Sequence, residues 1–127
     1  MGTANPAPYI ALVVEDDHEV RHLAAAVLEE TDLKVVEADS AEEALQFLRG
    51  NAQHVALVFA DIRLPCLMDG VDLARAIAIK WPWIKLLVTS GDPGDRLADL
   101  PRGTSYMQKP WRALDVLVEA ERVTARG

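Results

Sequence analysis

Residues 10–17 read IALVVEDD and residues 55–61 read VALVFAD. Each is a short, unbroken apolar run that stops at a carboxylate, Glu15-Asp16 in the first and Asp61 in the second. Continuous runs of this length are the pattern of strands covered on both faces, as in parallel sheets. Two further runs end in the same manner: Ile84–Val88 (IKLLV) at Thr89, and Tyr106-Met107 at Lys109-Pro110. In open α/β sheets the ligand site lies outside the carboxyl ends of the strands. If these runs are parallel strands of one sheet, two carboxylate positions, a hydroxyl and an ammonium meet at one edge. Such a set can hold a divalent cation and a phosphoryl group together.

Helical patterns fill the gaps between the runs. Val20, Leu23, Ala24, Val27 and Leu28 recur at helical spacing, predicting a helix over His18 to Glu30. Asp17 just before it reads as the helix cap. Lys34–Ala38 reads as a second strand. Ser40-Ala41-Glu42-Glu43 offers a capping box for a helix that Gly50-Asn51 should stop. The loop Ile62–Gly70 gives way to Val71, Leu73, Ala74, Ile77 and Ala78, a helix ending near Trp81-Pro82. Between Thr89 and Lys109, Pro93, Gly94, Pro101 and Gly103 leave room only for a short fourth helix at Asp95–Leu100. Ser105–Gln108 reads as the fifth strand, and a final helix through Leu114, Val116, Leu117, Val118 and Ala120 ends near Arg122–Arg126. The alternation implies an α/β fold, a five-stranded doubly wound parallel sheet with helices on both faces.

Composition narrows the function classes. A chain of 127 residues fits one domain. The formal net charge of −7, with no basic run, argues against a nucleic-acid surface. The single cysteine, Cys66, cannot pair within the chain, which fits a reducing, cytoplasmic compartment. No run approaches the ~20 apolar residues of a membrane span, and Met1–Tyr9 has no apolar signal core. No glycine-rich phosphate loop is present, which counts against a nucleotide-binding family.

As a set, LVVEDD at Leu12–Asp17, FADIRLP at Phe59–Pro65, MDG at Met68–Gly70, VTSG at Val88–Gly91 and YMQKP at Tyr106–Pro110 resembles the receiver domain of two-component response regulators. The resemblance covers about residues 9–124. It implies the flavodoxin-like receiver fold with strand order 2-1-3-4-5; the handedness and site rules for that order are general. It divides the chain into a flexible N-terminal segment at 1–8, a receiver domain at 9–124 and a tail at 125–127. It implies Asp61 as the phosphorylated nucleophile and Mg²⁺ as cofactor, held by Glu15, Asp16, Asp61 and the backbone carbonyl of Arg63. A carboxylate at a strand end can attack phosphorus to give an acyl phosphate, and Mg²⁺ prefers one or two carboxylates with waters and phosphate oxygens. Thr89 would hydrogen-bond one phosphoryl oxygen and Lys109 would pair with another. Thr89 and Tyr106 would form the switch, and Pro110 would follow a cis bond.

The implied activity is acceptance of a phosphoryl group from a phosphohistidine on a histidine kinase or histidine phosphotransfer protein. The domain would catalyse only its own phosphorylation and dephosphorylation, and signal to a downstream protein target as a monomer or weak dimer. It is read as a stand-alone receiver, with a receiver excised from a hybrid kinase as the alternative. A docking module that never turns over phosphate is the reading from another class; it has no need of the acids, Asp61, Thr89 and Lys109 together. A small-molecule phosphohydrolase built on an aspartate nucleophile would want a second acid/base carboxylate soon after Asp61, where Ile62-Arg63 stand instead.

Three features depart from the family pattern. The loop through Cys66-Leu67-Met68-Asp69 is one residue longer than usual. Arg63 places a cation two positions past Asp61, where it would reach the phosphoryl group or cover the site from water and so alter the lifetime of the phosphorylated form. The proline- and glycine-rich stretch after Gly91 replaces a long fourth helix. Elsewhere, His18, His22 and His54 are scattered and read as surface or partly buried, and Trp81, Trp83 and Trp111 read as packing.

Overall fold

The computed structural model describes residues 7–92 and 96–124. The elements in chain order are β1 (Ile10–Val14), α1 (His18–Leu28), β2 (Lys34–Ala38), α2 (Ala41–Asn51), β3 (Val55–Asp61), α3 (Gly70–Lys80), β4 (Lys85–Ser90), β5 (Ser105–Gln108) and α4 (Ala113–Thr124). The five strands are all parallel, in the order β2-β1-β3-β4-β5. Every residue of β1 and β3 is buried, as expected of central strands, whereas β2 and β5 at the edges are only partly covered.

Side chains alternate across the sheet and build two cores. Ile10, Leu12, Val14, Val58, Ala60 and Val88 face α2 and α3, where Leu45, Leu48, Leu73 and Ile77 meet them. Ala11, Val13, Leu57, Phe59 and Leu87 face α1 and α4, against Val27, Leu28, Val116 and Ala120. Leu23, placed by its spacing on the apolar stripe of α1, stands 58% exposed, and Leu114 and Val118 of α4 stand 65% and 41% exposed. The apolar stripes of α1 and α4 are therefore narrower than the run of leucines and valines suggested. Among the described residues no helix is long and apolar enough to cross a membrane.

The α-helical part of α2 ends at Asn51, within the expected Gly50-Asn51 stop, and the chain then tightens into a 3₁₀ turn at Ala52–His54. Several local readings need correction. Ser40 does cap α2, accepting from the Glu43 N–H at 3.1 Å, but Glu43 reaches back to the N–H of Asp39 at 2.7 Å rather than to Ser40. The reciprocal capping box sits instead on α3, between Asp69 and Asp72. The expected fourth helix is a single 3₁₀ turn at Leu97–Asp99; Asp95, where it was to begin, lies outside the described residues. Arg96 enters the turn in the left-handed region, φ 47°, and Pro101 drives Leu100 to an extended conformation, so the turn is closed off at both ends. Segments 1–6 and 125–127, which hold most of the expected terminal segment and all of the tail, also lie outside the described residues.

The start of α3 is pressed against the end of β3. The Gly70 N–H donates to the Ile62 carbonyl at 2.7 Å, and a Cβ on Gly70 would overlap the Asp61 carbonyl and sit 2.7 Å from the Ile62 Cα. Backbone on that side cannot yield as a flexible side chain would. Replacing Gly70→Ala is expected to lower stability by about 1–3 kcal/mol through overpacking, read as a fall in the urea midpoint; an unchanged midpoint would show that the helix start moves freely.

Candidate functional site

Register brings the sequence-predicted residues together. Val14 on β1 pairs with Ala60 on β3, and Asp61 pairs with Thr89 on β4. Hydrogen bonding continues past the strand ends: Ile62 N–H to the Thr89 carbonyl at 2.9 Å, and Lys109 N–H to the Ser90 carbonyl at 2.9 Å. Four chain segments are thereby held side by side at the carboxyl edge. The Lys109–Pro110 peptide there is cis.

Glu15, Asp61 and Thr89 are buried at this edge, while Asp16 is exposed beside them. The Lys109 ammonium donates to Asp61 Oδ2 at 2.7 Å and to Glu15 Oε1 at 3.0 Å. The second oxygen of each carboxylate is occupied by backbone: Asp61 Oδ1 accepts from Arg63 N–H at 3.0 Å, and Glu15 Oε2 from Asp17 N–H at 3.1 Å. Asp17 itself caps α1, accepting from the N–H groups of Glu19 and Val20. Arg21 fixes the Glu15 backbone, donating to its carbonyl at 3.0 Å.

Electrostatics follow from this crowding. Burial lifts the Glu15 carboxyl from its ordinary 4.5 to about 7; the Asp17 N–H and Lys109 offset part of that rise, and the neighbouring charge of Asp61 adds to it. Burial alone would pull the Lys109 ammonium down, but its hydrogen bonds to Asp61 and Glu15, with their charges, hold it above the usual lysine range. Oxygens of Glu15, Asp16 and Asp61 lie within 4.8 Å of one another, the one such acidic or metal-ligating group among the described residues. All-oxygen donors packed so closely suit a hard divalent cation, which would also favour the charged form of Glu15. The donor set therefore fits Mg²⁺.

Thr89 supplies a second observation. Its Oγ1 is buried and has no hydrogen-bond partner. A buried hydroxyl left without a partner is costly. Tyr106 is half-buried on the neighbouring strand and donates its hydroxyl to the Ser90 carbonyl at 3.2 Å. The opening onto Asp61 is lined by Asp61, Arg63, Gly91, Asp92 and Lys109. A cavity of about 500 Å³ lies elsewhere, around Trp83, Lys85, Arg102 and Arg122, and touches none of these site residues.

Three contributors escaped the sequence reading. Glu42, a middle position of the Ser40–Glu43 box, accepts from the N–H groups of Leu67 and Met68 at 3.2 Å each, anchoring the long loop in which exposed Cys66 takes φ 74°. Arg96 pairs with Asp69, Asp72 and Asp99. Asp92 pairs with Arg63. The Asp69–Asp72 and Arg96–Asp99 contacts are local, three positions apart; the others join residues more than twenty positions apart. The three histidines contact rings or surface acids, His18 against His22 and His54 against Tyr9. Trp111 packs on Phe59 and Trp81 on the core, whereas Trp83 is half-exposed and donates to the Ala52 carbonyl.

The model of the response regulator receiver domain family matches residues 11–120. The transcriptional regulatory protein AruR of Pseudomonas aeruginosa is 35% identical over 120 residues, 91% of this chain and 49% of that protein. The chain thus spans about half the length of that relative. Among solved structures, the receiver domain of NtrX from Brucella abortus is 28% identical with a TM-score of 0.78, covering 92% of this chain and 99% of that one. A response regulator receiver domain protein from Clostridium thermocellum superposes with a TM-score of 0.82 at 24% identity, covering 93% and 95% of the two chains, a likeness of fold.

If Thr89 Oγ1 has no partner in the resting protein, then Thr89→Val should leave stability unchanged or raise it by about 1 kcal/mol. Urea unfolding measures this directly. A loss of more than about 1 kcal/mol would mean that the hydroxyl is engaged.

Proposed function

The chain belongs to the response regulator receiver domain family of two-component signalling, and from that premise we propose that Asp61 accepts a phosphoryl group from a phosphohistidine. The observation that carries the proposal is the Lys109 ammonium, 2.7 Å from Asp61 Oδ2 within a knot of three carboxylates. A purely structural sheet edge gains nothing from burying Glu15 and Asp61 together.

In the proposed reaction an Asp61 oxygen attacks phosphorus, the P–N bond breaks, and the imidazole leaves with one proton. An acyl phosphate on Asp61 results. Lys109, already on Asp61 Oδ2, is placed to follow the incoming charge onto a phosphoryl oxygen, and the unpartnered Thr89 hydroxyl is placed to donate to another. Bound through Glu15, Asp16, Asp61 and the Arg63 carbonyl, Mg²⁺ would neutralise the approach of two anions. Movement of Thr89 toward the phosphoryl would disturb Ser90, whose carbonyl holds both the Tyr106 hydroxyl and the Lys109 N–H. That gives Tyr106 its proposed part in the switch. The donor would be a histidine kinase or histidine phosphotransfer protein, and the readout a changed contact with a downstream protein.

Incubation with Mg²⁺ and acetyl phosphate should give a single phosphoryl adduct by intact mass, with acetate as leaving group, and none in Asp61→Asn. Lys109→Met should take up phosphate roughly 100-fold more slowly, the loss typical of removing one oriented donor. A folded wild-type protein that stays unmodified would leave the chain as a docking module.

The cation is tested without chemistry. Mg²⁺ at 100 times its Kd should add about 2.7 kcal/mol of stability, seen as a rise in melting temperature. Asp16→Asn should abolish most of that rise while leaving the metal-free protein as stable as wild type, since Asp16 is exposed. An equal rise in the variant would remove Asp16 from the ligand set.

A further inference from the structure

At the amino end of the sheet, opposite Asp61, a cavity of about 500 Å³ opens between the end of α3, the start of β4 and the end of α4. Ala56 on β3 and Ala78 on α3 border it with side chains too short to fill it. Trp83, Lys85, Arg102 and Arg122 also line it, three cations and no lining carboxylate, in a chain of net charge −7. Lys85 begins β4 and Thr89 lies four residues along it. Roughly 13 Å of strand therefore separates the cavity from the carboxyl edge.

Each polar group is held from a different element. Trp83 is half-exposed, and its indole N–H donates to the Ala52 carbonyl at 3.1 Å, which fixes the ring. The Lys85 ammonium donates to the Gly103 carbonyl at 3.0 Å and stands 4.0 Å from Glu119, which meets Arg122 at 3.4 Å. Glu119, itself held by the Ser105 hydroxyl at 3.0 Å, thus draws two of the cations together. Arg102 projects from the turn Pro101–Thr104, which the Thr104 N–H closes on the Pro101 carbonyl at 3.2 Å, with Gly103 supplying φ 82°. Exposed Arg102 has no hydrogen-bond or ion-pair partner among the described residues.

One carboxylate, Glu119, does not balance three cations, so the cavity attracts anions. Guanidinium forks match phosphate oxygens in pairs, and an ammonium adds a point charge. A fixed indole offers a face on which a flat ring can stack. The volume falls within the roughly 300–1,000 Å³ of small-molecule sites. We propose that this cavity binds a nucleoside phosphate, its base against Trp83 and its phosphates among Lys85, Arg102 and Arg122. No glycine-rich loop is required, because side-chain cations rather than backbone N–H groups take the phosphates. The convergence of β4, the turn and α4 on one cavity favours such a compact polyanion over an acidic peptide, which would spread its charges along an extended chain. No residue of the Asp61 edge takes part, so the site stands or falls independently of the chemistry there.

The test is a titration of the ¹⁵N-labelled full chain, followed by its amide and indole N–H resonances in EDTA so that no metal loads the carboxyl edge. The probes are ATP, GTP, adenosine, pyrophosphate and a glutamate-rich peptide. ATP or GTP should shift the Trp83 indole and Gly103 amide signals with a Kd of about 1 mM or tighter, and adenosine and pyrophosphate should each bind at least roughly ten-fold more weakly. Arg102→Ala should weaken nucleotide binding roughly ten-fold and Arg102→Lys should restore part of it. Trp83→Phe, which keeps a ring, should bind better than Trp83→Leu, which does not. Since Arg102 is exposed and unpartnered, Arg102→Ala should match wild type in melting temperature and in phosphoryl uptake at Asp61. Pyrophosphate binding as tightly as ATP would remove the base from the site and overturn the proposal. So would the absence of nucleotide shifts, shifts confined to the Thr89 and Lys109 edge, full affinity in Arg102→Ala, or binding of the peptide alone.

Discussion

Glu15 and Asp61 are two carboxylates buried side by side, and the Lys109 ammonium that binds both is what makes the placement tolerable. Removing two anions from water costs several kcal/mol each before compensation. Here the compensation is a shared cation at 2.7 and 3.0 Å and one backbone N–H on each remaining oxygen. The balance is incomplete, and burial still pushes Glu15 up to about 7. Such a site is charged with unspent attraction for a cation. The strand order exists, in functional terms, to assemble it: residues 15, 61 and 109 are far apart in the chain and adjacent only because β1, β3, β4 and β5 are.

The scaffold holds that assembly rigidly on one side and loosely on the other. On the β3 side, Gly70 lets α3 start directly against the Asp61 and Ile62 backbone, Asp69 and Asp72 cap the helix reciprocally, and Glu42 ties down the loop between. Asp61 therefore has little freedom to move; in the proposed function the donor would come to it. On the β4 side the chain leaves Ser90 into a segment with a single 3₁₀ turn and few buried residues. Local stability of that kind is drawn from the low end of the range found within one domain.

Much of this was legible in the sequence because it depends on short-range rules. Apolar runs ending in acids marked β1 and β3, and the general placement of ligands at carboxyl edges then gathered Glu15, Asp16, Asp61, Thr89 and Lys109. The Asp17 cap followed from residue type alone. What failed was set by tertiary competition. The Gly50-Asn51 stop held for α2, but the 3₁₀ turn at Ala52–His54 that follows it carried no signal of its own. Glu42 was spent on a distant loop, and Glu43 bonded one residue further back than the capping pattern allows. Leu23 and Leu114 obey the helical period yet face solvent. The Arg63–Asp92 and Arg96–Asp69 pairs join residues 29 and 27 positions apart, and no local pattern encodes them.

Ser90 to Asp92 is where every line from Asp61 converges. The Ser90 carbonyl holds the Tyr106 hydroxyl and the Lys109 N–H, the Ser90 hydroxyl holds Asp92, and Asp92 holds Arg63. Between that tripeptide and β5, the described residues hold only the 3₁₀ turn at Leu97–Asp99. That turn is held by Leu97 and Leu100 against the core and by the Arg96 fan onto Asp69, Asp72 and Asp99, at 2.9, 3.3 and 3.3 Å. The ion pairs are solvent-exposed, each worth at most about 1 kcal/mol. The described contacts thus set a stiffly held Asp61 beside a turn whose surface ties are exposed ion pairs, so the turn yields to a local change of charge before the sheet edge does.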